Sequence, residues 1–313
     1  MKKYQKIISV QADPIEKINI KTDTTFFLLY EAQKKGYKIF WYQTSGLSLE
    51  NEKVYAYGNF VELKKNSKKF FTKEKFTEID LSLSKYLLIR QNPPFNMDYI
   101  NSTLYLDKIK SLVKIINDPT SVRNISEKFY SSKFIKYMPP TIFTKNITKI
   151  HNFQKKYKKI VIKPTNGYAG KSILFLNNNF NKKKITTYLN KTGHVLAQKF
   201  LPGIKQGDKR IFIINGKVVG AIKRVPSKNS ILSNISQGGT AKKTKLNIKE
   251  KNIANIIAKD LIKNNVFFCG IDLVSEYLIG DINITSPTGL TQYKDLTGIN
   301  LAKEFWDNAK KLK

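Results

Sequence analysis

The chain has 313 residues, 41% hydrophobic and 12% aromatic, which suffices for two or three domains with a sizeable core and excludes a disordered polymer. No apolar run approaches ~18 residues, so no membrane partner is expected, and the single Cys269 excludes an internal disulfide framework and agrees with a reducing, cytoplasmic setting. A net charge of +33 invites a nucleic-acid reading, but the lysines are spread along the whole chain rather than gathered in a stripe, so no nucleic-acid partner is expected.

Only four of the 56 basic residues are arginine: Arg90, Arg123, Arg210 and Arg224. Asn, Ile, Phe and Tyr are also abundant, which reads as compositional drift toward Lys wherever a point charge suffices. An arginine that survives such drift marks a site needing a planar, bidentate fork. Chance survival on the surface is the bland alternative, most apt for Arg123.

In chain order, the basic start "MKKYQKIISVQADP" has an apolar run ending at Val10, which is better read as a first strand than as a secretory segment. Residues 5–12 and 37–43 read as strands around a helix, "TDTTFFLLYEAQKKG", with Thr22 or Asp23 as its cap and Gly36 at its end. The stretch "VELKKNSKKFFTKEKF" reads as a solvated charge run. "YLLIRQ" (86–91) and "LVKIIND" (112–118) are further strands, each closed by proline. Strands alternating with helices predict a parallel α/β domain over 1–122.

A small mixed segment over 123–202 holds a helix, "ISEKFYSSKF", and the β-rich runs "TIFT", "KIVIKP", "SILFL" and "HVLAQKF". The segment 203–313 opens on the clearest hairpin, "KRIFIINGKVVGAIKRV", with Asn215-Gly216 as a type I′ turn. A helix near 248–264, a second β pair ("VFFCGIDLV", "IGDINIT") and a closing helix, "LAKEFWDNAKKL", complete the chain.

"KPTNGYAGKS" (163–172) ends like a Walker A loop, but Thr165 stands where that motif needs glycine. The next residues, "ILFLNNN", are too few and too Asn-rich for the helix whose N-terminus a P-loop uses. The loop is therefore expected between two strands, where Gly167 and Gly170 let backbone N–H groups approach phosphates. Lys163, at the end of a buried strand, is costly to desolvate unless it meets an anion. Asp281 and Asn283 alternate on one face of a strand, and with Asp272 they supply hard oxygen donors suited to Mg²⁺.

Nearly the whole chain resembles the prokaryotic-type glutathione synthetases of the ATP-grasp superfamily. The motifs are "DPIEKINIKTDTTFFLLYEAQKKGY", "IRQNPPFNMDYI", "KPTNGYAG", "LPGIKQGDKR" and "INITSPTG", in the family's order and spacing. The resemblance implies an α/β, ATP-grasp fold: an N-terminal substrate domain (1–122), a central lid (123–202) and a C-terminal catalytic domain (203–313). It implies ligation of γ-glutamylcysteine to glycine through an acyl phosphate, with ATP and Mg²⁺ (Mn²⁺ as a substitute), in a homo-oligomer.

By the same resemblance, Lys128 and Lys163 reach the nucleotide, with Gly167 and Gly170 in the loop above it. Gln198, Lys199, Phe200 and Leu201 edge the adenine, and Asp208 closes that side. Asp272, Asp281 and Asn283 hold the metal, and Arg210 and Arg224 are the catalytic cations at phosphate and carboxylate. Ser286, Pro287 and Thr288, with Ile20, Lys21 and Arg90, approach the peptide, and Asn234, Gly238 and Gly239 belong to a loop that closes over the intermediate. The chain departs from the pattern at Asp281 (usually Glu), at Asn166 and Ala169 in the phosphate loop, and at Leu232 and Thr240, where the family often has Arg. These departures keep open a related ligase with another acceptor, or a divergent copy of low activity.

Overall fold

The computed structural model describes residues 6–65, 68–168, 170, 172–228, 233 and 235–312. Its first third contains β1 (Ile7–Gln11), α1 (Thr24–Lys34), β2 (Lys38–Glu50), β3 (Lys53–Leu63), β4 (Phe71–Asp80), β5 (Tyr86–Ile89), α2 (Met97–Asp107), β6 (Lys114–Ile116) and α3 (Pro119–Asn124). They form one sheet in the order β4-β3-β2-β1-β5-β6. As expected, β2, β1, β5 and β6 are parallel and α1 is capped by Asp23, whose Oδ1 accepts the Phe26 N–H at 2.6 Å. The sheet is nonetheless mixed, because β3 and β4 add antiparallel strands. The β2–β3 turn uses Asn51 and Glu52 at positive φ, a pair without the glycine that marks such turns in sequence. The supposed charge run supplies the end of β3 and much of β4, an edge strand whose middle is exposed.

The middle third contains β7 (Thr141–Thr144), α4 (Ile147–Tyr157), β8 (Ile160–Pro164), β9 (Leu174–Leu176), α5 (Lys182–Thr192) and β10 (Val195–Lys199). The sheet runs β7-β10-β8-β9 and buries Ile160, Ile162, Val195 and Ala197 against Ile150 and Ile185 of the two helices. Where a helix was expected near 125–134, the chain forms a 3₁₀ run, Phe129–Tyr137, kinked at Phe134. Neither α4 nor α5 was anticipated. Their caps, Asn146 and Asn181, sit in Asn- and Lys-rich stretches that read as turns, yet each side chain accepts a first-turn N–H.

The last third contains β11 (Asp208–Ile214), β12 (Lys217–Val225), β13 (Thr240–Lys243), α6 (Ile248–Lys263), β14 (Phe268–Val274), β15 (Tyr277–Asn283), α7 (Leu290–Thr297) and α8 (Leu301–Ala309), with sheet order β13-β12-β11-β14-β15. The β11–β12 hairpin turns at Asn215 (φ 49°) and Gly216 (φ 71°), as its sequence requires. This part shares one apolar core with the first third: Ile8, Phe27 and Leu29 pack with Phe212, Phe267 and Trp306. The Trp306 indole N–H bonds the Leu28 carbonyl at 2.7 Å. Buried Asn117 adds a polar staple, donating to the carbonyls of Phe268 and Ile284 and accepting the N–H groups of Phe267 and Phe268. The three sheets meet around one cleft.

Candidate active site

The cleft has a volume of about 800 Å³ and draws its walls from all three sheets. Its floor is set by cross-strand pairing. Arg210 on β11 stands opposite Asp272 on β14, and Asp208 on β11 stands opposite Arg224 on β12. Such pairs place side chains on the same sheet face within bonding reach. The Arg210 fork grips Asp272 through Nε (2.5 Å) and Nη2 (2.8 Å). Arg224 grips Asp208 the same way, at 2.8 and 2.5 Å, and its Nη2 also reaches Asp272 at 2.7 Å. The Ser233 hydroxyl donates to Asp208 at 2.6 Å and closes the chain. Gly270 is needed here, because a Cβ at that position would lie 2.9 Å from the Arg210 Cδ.

A second cluster lies beside it. The β14–β15 ladder is irregular between Ile271 and Leu273: Ile271 pairs Ile282, but Leu273 pairs Leu278. The extra residues of β15 bulge, with Gly280 at φ 87°, and Asp281 enters the cleft. Lys128 and Lys163 each place Nζ 3.2 Å from an oxygen of Asp281. Lys163 also donates to the Ile279 carbonyl and Lys128 to that of Gly167. The expectation that buried Lys163 needs an anion is met.

The electrostatics arise from this packing. Burial opposes charge on Asp281, but Lys163 and Lys128 outweigh it and hold the carboxyl far below its ordinary range. Burial likewise opposes charge on Asp272, and Arg210 and Arg224 overcome it. Lys128 is held above its ordinary value because Glu127 and Asp281 outweigh the cost of burial. Glu127 itself is pushed up, first by burial, against the pull of Lys128.

Most expected site residues line this cleft: Lys128, Lys163, Gly170, Gln198, Lys199, Phe200, Leu201, Asp208, Arg210, Arg224, Asp272, Asp281, Asn283, Arg90, Ser286 and Thr288. The phosphate loop joins antiparallel strands β8 and β9, so it is no P-loop. Others are displaced. Exposed Lys21 and half-buried Ile20 are not among the lining residues, and Lys17, Ile18, Asn19 and Thr22 take that edge. Pro287 contributes through its carbonyl, which accepts from Arg90 at 3.0 Å. Gly167 acts as the acceptor for Lys128, while Gly238 and Gly239 are not among the lining residues, although Ser233, Ile235 and Gln237 just before them are. Asn234, Leu232 and Ala169 lie outside the described residues. Arg123 stands away from the cleft and pairs with Asp107.

Glu127, Asp13 and Ser233 line the cleft without having been singled out in the sequence. The signal for Glu127 was its place beside Lys128. Asp13 opens the first of the family-like motifs, which was its signal, whereas Ser233 left none, since its role depends on a tertiary neighbour, Asp208.

Among the described residues no three carboxylate, His or Cys side chains converge as a ready metal cage. Asp272, Asp281 and the Asn283 amide are hard oxygen donors on one wall. Two carboxylates and one amide fit a divalent cation that fills its shell with water and phosphate oxygens.

Known proteins share this outline. Residues 7–123 match the family model described as the N-terminal domain of prokaryotic glutathione synthetase, and residues 127–298 match its ATP-grasp domain. A glutathione synthetase of Buchnera aphidicola subsp. Baizongia pistaciae is 38% identical, covering 97% of this chain and 95% of its own. One from Agrobacterium fabrum is 34% identical, covering 98% and 97%. Among solved structures, a D-cycloserine synthetase superposes with a TM-score of 0.68 at 12% identity, covering 98% of this chain and all of its own. The D-alanyl-alanine synthetase A of Vibrio cholerae superposes with a TM-score of 0.58 at 13% identity, covering 98% and 97%.

Proposed function

This chain belongs to the prokaryotic glutathione synthetases, and from that premise we propose how its own residues divide the work. The enzyme is an ATP-dependent carboxylate–amine ligase that joins γ-glutamylcysteine to glycine through an acyl phosphate, releasing ADP and phosphate, and it depends on a divalent metal. We take that metal to be Mg²⁺, with Mn²⁺ as a substitute, held by Asp272, Asp281 and Asn283. Bound there, it would neutralise phosphate charge during transfer.

The observation that carries the assignment is the convergence of Lys128 and Lys163 on Asp281. Lys163 pairs with Asp281 alone and Lys128 with both Asp281 and Glu127, so two buried ammonium groups are held charged at the cleft, where polyphosphate would lie. Lys199 and Phe200 spend their N–H groups on Pro140 and Lys159, whereas the Leu201 N–H has no partner among the described residues and is the donor for the adenine edge. Gln198 is fixed by its bond to Thr141 and supports that edge. Arg210 and Arg224, locked by Asp272 and Asp208, present fixed positive charge to the transferring phosphoryl group at little reorganisation cost. Ser286, Pro287 and Thr288 hold the peptide against the first sheet. Family membership supports a homo-oligomer in the cytoplasm.

Steady-state ADP release tests the assignment. It should require γ-glutamylcysteine, glycine and Mg²⁺ together, and a panel of alternative amines should be poor acceptors. ADP release indifferent to the amine would count against the glycine assignment, and none with any acceptor would sink the enzyme.

A further inference from the structure

We propose that Glu127 is a specificity-determining residue: its carboxylate balances the charge of the cleft, so that the nucleotide is taken with its divalent cation in preference to the bare nucleotide. The proposal rests on the ligase reading above and gives a role to a residue that the division of work left unused.

Among the described residues, the two lysines and two arginines of the cleft share four carboxylates: Asp208, Asp272, Asp281 and Glu127. The three aspartates are held at 3.2 Å or closer, and Asp281 gives one oxygen to each lysine. Glu127 differs. Its Oε1 stands 3.4 Å from the Lys128 Nζ, the longest of these pairs, and its side chain is 19% exposed against 5% for Lys128. Lys128 has nearer acceptors in Asp281 and the Gly167 carbonyl, so Glu127 supplies charge more than a tether. The main chain fixes its place: the Glu127 carbonyl accepts the Ile282 N–H at 3.0 Å, which ties residue 127 to β15 beside Asp281. The carboxylate therefore lies in the field of Asp281, Asp272 and Arg210 as well as that of Lys128.

A carboxylate at this point repels a polyphosphate and attracts a cation. With Glu127 the paired charges of the cleft cancel, and without it one cation is in excess. A bare nucleoside triphosphate carries roughly twice the negative charge of its divalent-metal complex, so Glu127 opposes the bare form more strongly. The same carboxylate strengthens the pull on the cation. The aspartates do not supply this balance alone, since their oxygens already hold the arginines and lysines. Glu127 thus acts through charge on what Lys128 and the hard-oxygen wall bind.

Binding measurements at fixed ionic strength separate this role from a structural one. Calorimetry with chelator present gives the affinity for metal-free ATP, and electron paramagnetic resonance gives that for Mn²⁺ with a non-hydrolysable ATP analogue bound. Glu127→Gln should bind metal-free ATP about tenfold more tightly and Mn²⁺ about tenfold more weakly than wild type, two changes of opposite sign from one lost charge. Glu127→Asp should return both toward wild type. Loss of both affinities together would mean that Glu127 only props Lys128, and either result overturns the proposal: that joint loss, or no change in either affinity. Should Glu127→Gln fail to fold, the wild type decides. It should bind ATP with chelator at least about tenfold more weakly than with Mg²⁺, and equal affinity overturns the proposal. ADP release by the wild type with γ-glutamylcysteine, glycine and Mg²⁺ tests the ligase reading separately: an active chain whose binding ignores Glu127 loses this inference alone, whereas a chain that releases no ADP loses both.

Discussion

At the scale of single residues, the four arginines divide by what their forks hold. Arg210 and Arg224 are saturated by Asp272 and Asp208, Arg90 is half open, and Arg123 pairs with Asp107 between α2 and α3. Lysine cannot reproduce the two-pronged grip on Asp208 together with the third bond to Asp272. Arg224→Lys should therefore lower kcat by about a hundredfold, as loss of a preorganised donor does, and a variant with wild-type kcat would remove Arg224 from the catalytic set. Arg123 has a structural role that pH can expose. Burial alone would raise Asp107, but Thr120, Arg123 and Lys110 together hold it below its ordinary value of 3.8. The stability it contributes is complete above that value and is lost as pH falls through the depressed one. Asp107→Asn should cost about 1 kcal/mol or less near neutral pH, and the cost should vanish in acid, as followed by urea unfolding at several pH values. The drift of basic residues toward lysine marked all four positions in advance, and the family resemblance placed Arg90, Arg210 and Arg224 at the site, whereas what each fork holds was not legible.

At the scale of elements, the readable ones carried their own punctuation. The β11–β12 hairpin announces itself by Asn215-Gly216, and α1 by Asp23 and Gly36. Gly216→Ala should destabilise by about 1–2 kcal/mol, since φ is 71° there and a Cβ would come within 2.9 Å of Ile262. Thermal melting measures that loss, and kcat should be unchanged because the turn lies away from the cleft. The β2–β3 hairpin and helices α4 and α5 were hidden, because Asn-Glu turns by positive φ without glycine, and asparagine caps look like loop in a chain so rich in asparagine. The β15 bulge is the element that matters most for the site. Alternation alone put Asp281 and Asn283 on one face, and the bulge then set Asp281 between two lysines. Asp281→Ala would leave buried Lys163 without a carboxylate and Lys128 with Glu127 alone, so stability without nucleotide should fall by about 3 kcal/mol. A stability equal to wild type in the same unfolding assay would show that the lysines do not depend on Asp281.

At the scale of the molecule, the ends of the chain are joined through one core. Trp306 on α8 is 2% exposed, stacks at 6.2 Å on Tyr37 and bonds the Leu28 carbonyl. The first and last thirds should therefore unfold together. Trp306→Ala should cost about 3–5 kcal/mol and lower the transitions of both thirds equally, as read by hydrogen exchange on β1 and β14. Protection lost on β14 alone would separate them. This shared core explains why the cleft keeps its shape: Asp13 and Arg90 on the first sheet and Arg210 and Asp272 on the last are carried by elements packed on common side chains.

The sequence by itself determined the chemistry on offer. Scarce arginines, a buried lysine before a glycine loop, alternating hard-oxygen donors and an ordered set of motifs identified the family and most of the residues at the cleft. Those signals are local, carried by residue type and short spacing. Only the tertiary structure decided how the charges pair: Asp272 with two arginines, Asp281 with two lysines, and Arg90 with a donor left open among the described residues. Pairing energy depends on distance and burial between strands far apart in the chain, and no local pattern encodes either.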